Sequence, residues 1–280
     1  MRALFLVPGG PMDQLQALPA AAAVAQQLGF NLQIACPASG KEVWSLLPSV
    51  EKLIPFAFDE ANLADWANLL GCVREPDFQL CFNLASGRQV DLMLSMSHIP
   101  TRVAASGFSA TTTIAPLGGG WPAQALEPWL RSVGVSLDAR EFRLSLPADG
   151  LARAQAALPA GDGPLLLLAP GGGPNAWPAE RWQQLRGRIR DRLPSVRFLE
   201  LEPPRPSDLA RRACKVASAD VVLAAEPITM ELALYCGLPL VALGREPSSL
   251  PDRADVKGLP IPPGGAADAD DAILAALGLG

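Results

Sequence analysis

The feature that most constrains this chain is a recurring unit: a short, uninterrupted apolar run, a turn, then a helical pattern and another apolar run. Ala219 to Leu243 shows it most fully. Val221 to Ala224 is apolar at every position, the pattern of a strand covered on both faces of a parallel sheet. Pro227 stands where a helix can begin, since its missing N–H would be unpaired there anyway. Gly237 suits a left-handed cap at the helix end, Pro239 blocks continuation, and Leu240 to Leu243 forms the next buried strand. The Glu226 to Glu231 turn therefore falls at the carboxyl end of a parallel strand, where open α/β sheets bind ligands.

The same alternation runs through most of the 280 residues. Strands are expected at Ala3 to Val7, Asn31 to Cys36, Leu53 to Phe58, Gln79 to Leu84 and Arg102 to Ala105. Helices are expected at Met12 to Leu28, Lys41 to Leu47, Leu63 to Leu70 and Val90 to Met96. Residues 111 to 150 break the rhythm with turn formers, a helical stretch at Gln124 to Val133 and an edge strand at Phe142 to Leu146. After a helix at Leu151 to Leu158 the series resumes. Leu165 to Ala169 is a central strand, and a helix follows Pro178. Arg197 to Leu201 is a strand, Ser207 caps a helix through Val216, and Asp268 to Leu277 closes the chain as an amphipathic helix. Alternation of this kind predicts an α/β fold with parallel sheets covered by helices. The length allows two domains, 1–150 and 151–280, with a ligand cleft between their sheets.

Charge and cysteine content narrow the function classes. The net charge is −5 and no block of like charge occurs, so nucleic acid is not an expected partner. The arginines of 181–197 and 205–212 read as solvated helix faces, or for one of them as a phosphate contact. Cys36, Cys72, Cys81, Cys214 and Cys236 are widely spaced in apolar surroundings, which predicts buried reduced thiols in a cytoplasmic protein. Met1 to Pro8 reads as a first strand, not a targeting segment. No run reaches the roughly 20 apolar residues that span a bilayer, so membrane contact would be peripheral. His98, the only histidine, has no second histidine or carboxylate cluster near it in sequence.

Three constellations carry possible chemistry. Asp13, following Gly9, Gly10, Pro11 and Met12, either complements the dipole of the first helix or serves as a general base that takes a proton from an attacking hydroxyl. Gly171, Gly172 and Gly173, followed by Pro174 and Asn175, either let a phosphate approach backbone N–H groups or form a flexible turn. Around Thr229 and Met230, the carboxylates of Glu226 and Glu231 either accept hydrogen bonds from sugar hydroxyls, or cap the helix and face solvent respectively. Two carboxylates beside a diphosphate would repel it unless a counter-charge such as Arg245 or a metal intervened.

These residues together resemble glycosyltransferase family nine, the ADP-heptose:lipopolysaccharide heptosyltransferases. Gly10 to Ala20 is similar to the family's Gly-Asp-x-x-x-x-x-Pro-Ala segment, Asp77 to Leu84 through Arg102 to Phe108 to its Arg-x-Gly-Phe passage, and Leu168 to Gly171 with Trp177 to Trp182 to the start of its nucleotide-binding domain. Glu226 to Pro239 is similar to the signature Asp-x-Gly-x-x-His-Leu-Ala-x-x-x-Gly-x-Pro. The resemblance implies a GT-B fold of two Rossmann-like domains, with the acceptor on the first and a nucleotide-sugar on the second. It puts Asp13 on the position of the catalytic base, Gly10 and Arg88 on the acceptor side, and Gly171, Gly172, Asn175, Glu226, Thr229, Met230 and Glu231 at the donor. It implies inverting transfer to a glycan or lipid-linked acceptor without metal or cofactor, in the cytoplasm or peripherally at the inner membrane face. Asn175 replaces the family's lysine, Glu226, Ile228 and Glu231 replace its Asp, Gly and His, and the stretch from Leu201 to Ala219 is short by a strand and a helix. A chain that keeps the fold while losing donor chemistry would instead be a binding or assembly subunit.

Overall fold

The computed structural model describes residues 1–74, 77–116, 118–172, 177–261 and 268–280. The chain divides into two compact units, one of Met1–Gly118 with Pro122–Ser145, the other of Gly119–Trp121 with Leu146–Gly280.

The first unit contains, in chain order, β1 (Arg2–Leu6), α1 (Pro11–Leu28), β2 (Asn31–Cys36), β3 (Val50–Pro55), α2 (Leu63–Val73), β4 (Phe78–Asn83), α3 (Arg88–Met96), β5 (Thr101–Ala104), β6 (Thr112–Thr113) and α4 (Glu127–Arg131). Its six strands pair in parallel in the order β3-β2-β1-β4-β5-β6. This is the doubly wound dinucleotide-binding order, 3-2-1-4-5-6. Leu4 and Leu6 of β1 are fully buried against a cluster that includes Phe56, Leu69, Met93 and Leu94. Each such leucine contributes about 1.5–3 kcal/mol by burial. Gly29 ends α1 at φ 66°, as its position predicts.

The departures from expectation in this unit have local causes. The helix expected at Lys41 to Leu47 is instead the end of a 3-10 segment, Ala38–Leu46, with Leu47 as its C-cap. Gly40 in that segment sits so close to α1 that a Cβ would lie 2.5 Å from Gln14 Cγ. β3 begins at Val50, three residues before the expected strand, because an edge strand tolerates the exposed Glu51 and Lys52 that an apolar-run criterion passes over. Phe142 to Leu146 is irregular; its alternating pattern is not paired to a sheet edge.

The second unit contains α5 (Ala148–Ala156), β7 (Leu165–Ala169), α6 (Ala179–Arg192), β8 (Arg197–Glu200), α7 (Leu209–Ala217), β9 (Val221–Ala224), α8 (Pro227–Tyr235), β10 (Leu240–Leu243), β11 (Val256–Leu259) and α9 (Asp268–Ala276). Its strands are also parallel, ordered β11-β10-β9-β7-β8. Counted within the unit this is 2-1-3-4-5, the other common doubly wound order. Between Leu201 and Ala219 the chain makes one 3-10 turn, Pro206–Asp208, and α7, so β8 stays at the sheet edge. Ser207 belongs to that turn and α7 starts after Asp208. β11 breaks the apolar pattern with Lys257 and Gly258; a Cβ on Gly258 would meet Arg245 O at 2.8 Å. Trp177, Trp182, Leu185, Ile189, Leu223 and Ile273 form part of the core.

None of the five cysteines is in a disulfide; Cys36, Cys81 and Cys214 are buried, and Cys72 and Cys236 are half-buried. Burial alone pushes the Cys36 thiol up to about 11, so it is not a nucleophile at neutral pH. Among the described residues no helix is long and apolar enough to cross a membrane.

Candidate functional site

In the first sheet the winding reverses between β1 and β4, and the loops that leave these adjacent strands lead into the first turns of α1 and α3, which carry Asp13 and Arg88. Such a switch point, outside the carboxyl ends of the strands, is where open α/β sheets form a crevice for ligands. Gly9 takes φ +87° and Gly10 is the N-cap of α1. The Gly10 N–H donates to Asp13 Oδ2 at 2.8 Å, so one carboxylate oxygen closes the helix start. Asp13 is exposed, and its Oδ1 has no hydrogen-bond partner among the described residues. A Cβ at Gly9 would lie 2.3 Å from Asp13 Oδ2. At Gly10 it would meet nothing within 4 Å. Arg88 opens α3 after Gly87 (φ +120°); it is exposed and has no ion-pair partner among the described residues.

A residue that the pattern of the sequence did not single out holds this turn. Gln14 is fully buried. Its Nε2 donates to the carbonyls of Val7 at 2.9 Å, Pro8 at 3.3 Å and Gly9 at 3.4 Å, while its Oε1 accepts the Trp44 indole N–H at 2.9 Å. A glutamine in an otherwise apolar helix face, one residue after a candidate base, was the available signal.

The loop after β5 is fixed in a comparable way. Arg102 donates through Nε to Ser109 O at 2.6 Å and through Nη1 to Ile99 O, and the buried Asp91 accepts the Ser109 hydroxyl at 2.6 Å. Gly107 (φ +112°) lies against that carboxylate, and Phe108 is 63% exposed. His98 (φ 64°) follows the end of α3, with Nε2 3.2 Å from Arg74.

In the second sheet the order reverses between β7 and β9. The loop after β7 begins with Gly171, where a Cβ would lie 3.2 Å from Ala225 O, and Gly172, which faces open space. Asn175, with Gly173, Pro174 and Ala176, lies outside the described residues.

The loop after β9 leads into α8, whose first donors are all accounted for. Pro227 has no N–H. Glu226, the N-cap, accepts the Ile228 N–H on Oε1 at 2.8 Å and the Thr229 N–H on Oε2 at 2.7 Å, and the Met230 N–H bonds to the Glu226 carbonyl at 3.2 Å. The Thr229 hydroxyl donates to Glu226 Oε2 at 2.7 Å and accepts from Arg212 Nε at 3.0 Å and Nη2 at 2.7 Å, which uses its one proton and both lone pairs. Arg212 also donates to Glu202 O at 2.5 Å and pairs with Glu226 at 3.4 Å. Burial lowers the Arg212 pKa from its ordinary value, and the Glu226 charge opposes that shift. An incoming phosphate at this helix start would find an internal carboxylate already in place.

Glu231 is buried, as are Thr229 and Met230. Trp121 donates its indole N–H to both Glu231 oxygens, at 3.4 and 3.2 Å, and Tyr235 donates its hydroxyl. Burial pushes the Glu231 carboxyl up to about 7, with Trp121, Arg245 and Tyr235 opposing the shift. Tyr235 is fully buried, and its hydroxyl is raised well above its ordinary value by burial and by Glu231.

Beyond the carboxyl end of β8 lies a cavity of about 290 Å³, lined among others by Glu200, Glu202, Arg205, Arg211, Arg212 and Lys215. Glu200 pairs with Arg186, Glu202 with Arg205 and Asp208 with Arg211. Lys215 has no ion-pair partner among the described residues, so the cavity keeps a cation available for an anionic ligand.

No protein-family model matches the sequence, and no curated protein does. Solved structures do. A glycosyl transferase family 9 structure from Veillonella parvula DSM 2008 superposes with a TM-score of 0.73 at 14% identity, covering 92% of this chain and 86% of that one. E. coli ADP-heptose LPS heptosyltransferase II gives 0.72 at 15% identity, covering 99% and 98%. E. coli heptosyltransferase WaaC with ADP-2-deoxy-2-fluoro heptose gives 0.69 at 14% identity, covering 99% of each chain. The two parallel sheets, with their Rossmann-type strand orders, are thus the GT-B type of α/β fold found in solved structures of glycosyltransferase family nine.

Proposed function

We propose that this chain is a glycosyltransferase of the family nine type, moving a sugar from a nucleotide-sugar to a hydroxyl of a glycan or lipid-linked acceptor with inversion. The observation that carries the reading is the Asp13 carboxylate, exposed at the switch point of the first sheet and tethered through Oδ2 while Oδ1 stays available. The acceptor oxygen attacks the anomeric carbon, its proton passes to Asp13, and the bond from that carbon to the phosphate oxygen breaks with its electron pair leaving on the nucleotide. Such a displacement needs no cofactor or metal beyond the co-substrate. Arg88, with no ion-pair partner among the described residues, suits an acidic group on the acceptor. The reading includes a cytoplasmic location with peripheral contact at the inner membrane face, where a lipid-linked acceptor would be met.

On the donor side, the filled start of α8 leaves the phosphates to side chains, with Lys215 at the β8 cavity the cation in place. Two solved structures of similar fold, heptosyltransferase WaaC with ADP and with an ADP-sugar, support a nucleotide-sugar as the ligand class. A second reading, a binding or assembly subunit without donor chemistry, is favoured by that same filled helix start. Calorimetry against ADP-, UDP- and GDP-sugars separates the two. Binding of any donor, with sugar transfer that Asp13→Asn abolishes, supports the first; no binding across the panel leaves the second.

A further inference from the structure

We propose that Gln14 is a positioning residue that sets where the Asp13 carboxylate stands; the inference rests on the reading of Asp13 as the base. Three successive carbonyls, of Val7, Pro8 and Gly9, converge on one amide nitrogen, although that nitrogen has only two protons. The turn is thereby drawn inward on its carbonyl side. Its next N–H, that of Gly10, is the one that holds Asp13 Oδ2. Gln14 cannot swing away, because its Oε1 is held by Trp44 and its Cγ packs against Gly40, where no Cβ fits. The chain of contacts runs from the Trp44 indole through the Gln14 amide to the turn, and from the turn to the carboxylate.

An apolar residue of similar size at position 14 would leave the buried Val7 carbonyl unpaired and release the part-buried ones of Pro8 and Gly9, so the turn would relax toward water and carry Gly10 with it. Displacements of about 1 Å at a reacting group cost up to about 100-fold in rate. A role in stability alone would instead lower the melting temperature and leave the folded molecules fully active.

The test uses the full chain with Gln14→Leu and, in case that variant does not fold, Trp44→Phe, which removes only the donor that orients the amide. The first readout needs no activity. In the 15N–1H spectrum the Gly10 amide shift should follow Asp13 ionisation in the wild type, and the amplitude of that titration should fall at least by about half in the folded variant as the Gly10–Asp13 hydrogen bond loosens. The second is turnover: kcat should fall about tenfold or more with the donor KM unchanged, and Asp13→Asn with Gln14→Leu should be no slower than Asp13→Asn alone. An unaltered Gly10 titration in the folded variants overturns the inference. A lost titration in a protein that transfers no sugar upholds the positioning of Asp13 and removes the base reading instead.

Discussion

Glu226 Oε2 accepts both the backbone N–H and the hydroxyl of Thr229, each at 2.7 Å, and through this pair a side chain occupies the helix start that a phosphate would take in a nucleotide-binding sheet. Arg212 completes the arrangement from α7. Glu226→Ala strips the cap and strands a buried guanidinium, a loss expected at about 3 kcal/mol or more in urea unfolding. Inorganic phosphate should then stabilise the variant more than it stabilises the wild type. A loss below about 1 kcal/mol would mean that Arg212 is satisfied by Thr229 and Glu202 alone.

Gly9 and Gly10 are adjacent yet should respond oppositely. Gly9→Ala puts a Cβ at positive φ and onto the Asp13 carboxylate, and should destabilise by at least about 1 kcal/mol. Gly10→Ala has open space and φ −85°, so only the poorer N-cap preference of alanine counts, at less than about 1 kcal/mol. Thermal melts of the two variants compare them directly; equal losses would contradict the turn geometry.

Glu231 makes stability depend on pH. Its folded carboxyl lies near 7, against an ordinary 4.5, so the folded state binds the proton more tightly than the unfolded chain. The contribution is most favourable below the unfolded value and is lost as pH rises through about 7, a penalty on the order of 3 kcal/mol. Glu231→Gln keeps an acceptor for Trp121 without the charge. It should match the wild type near pH 4 and exceed it at pH 8; parallel stability curves across that range would show that the carboxyl is not held neutral.

Asp13→Asn keeps an oxygen for the Gly10 N–H and removes the proton acceptor. Turnover should fall about 10²–10⁴-fold with donor affinity retained. The lost charge at the helix start should cost only about 0.3–1 kcal/mol, so folding and chemistry separate in the same variant.

The sequence by itself determined the strands buried on both faces, since continuous apolar runs such as Leu165–Ala169 and Val221–Ala224 have few other places to go. It also determined the helix ends at Gly29 and Gly237, where φ is positive. It did not disclose the edge strands β6 and β11, and it started β3 three residues late, because an edge needs a neighbour more than a pattern. Nor did it disclose how Glu226 and Glu231, five residues apart on one turn and helix, would be used. Only the tertiary structure brought Arg212 from α7 to the first, and Trp121 from a glycine-rich segment 110 residues away to the second. The same holds for Gln14, whose amide became the centre of the Asp13 turn once Trp44 and three carbonyls were packed around it. Local periodicity reports burial, but a polar side chain's role is fixed by the partners that folding delivers to it.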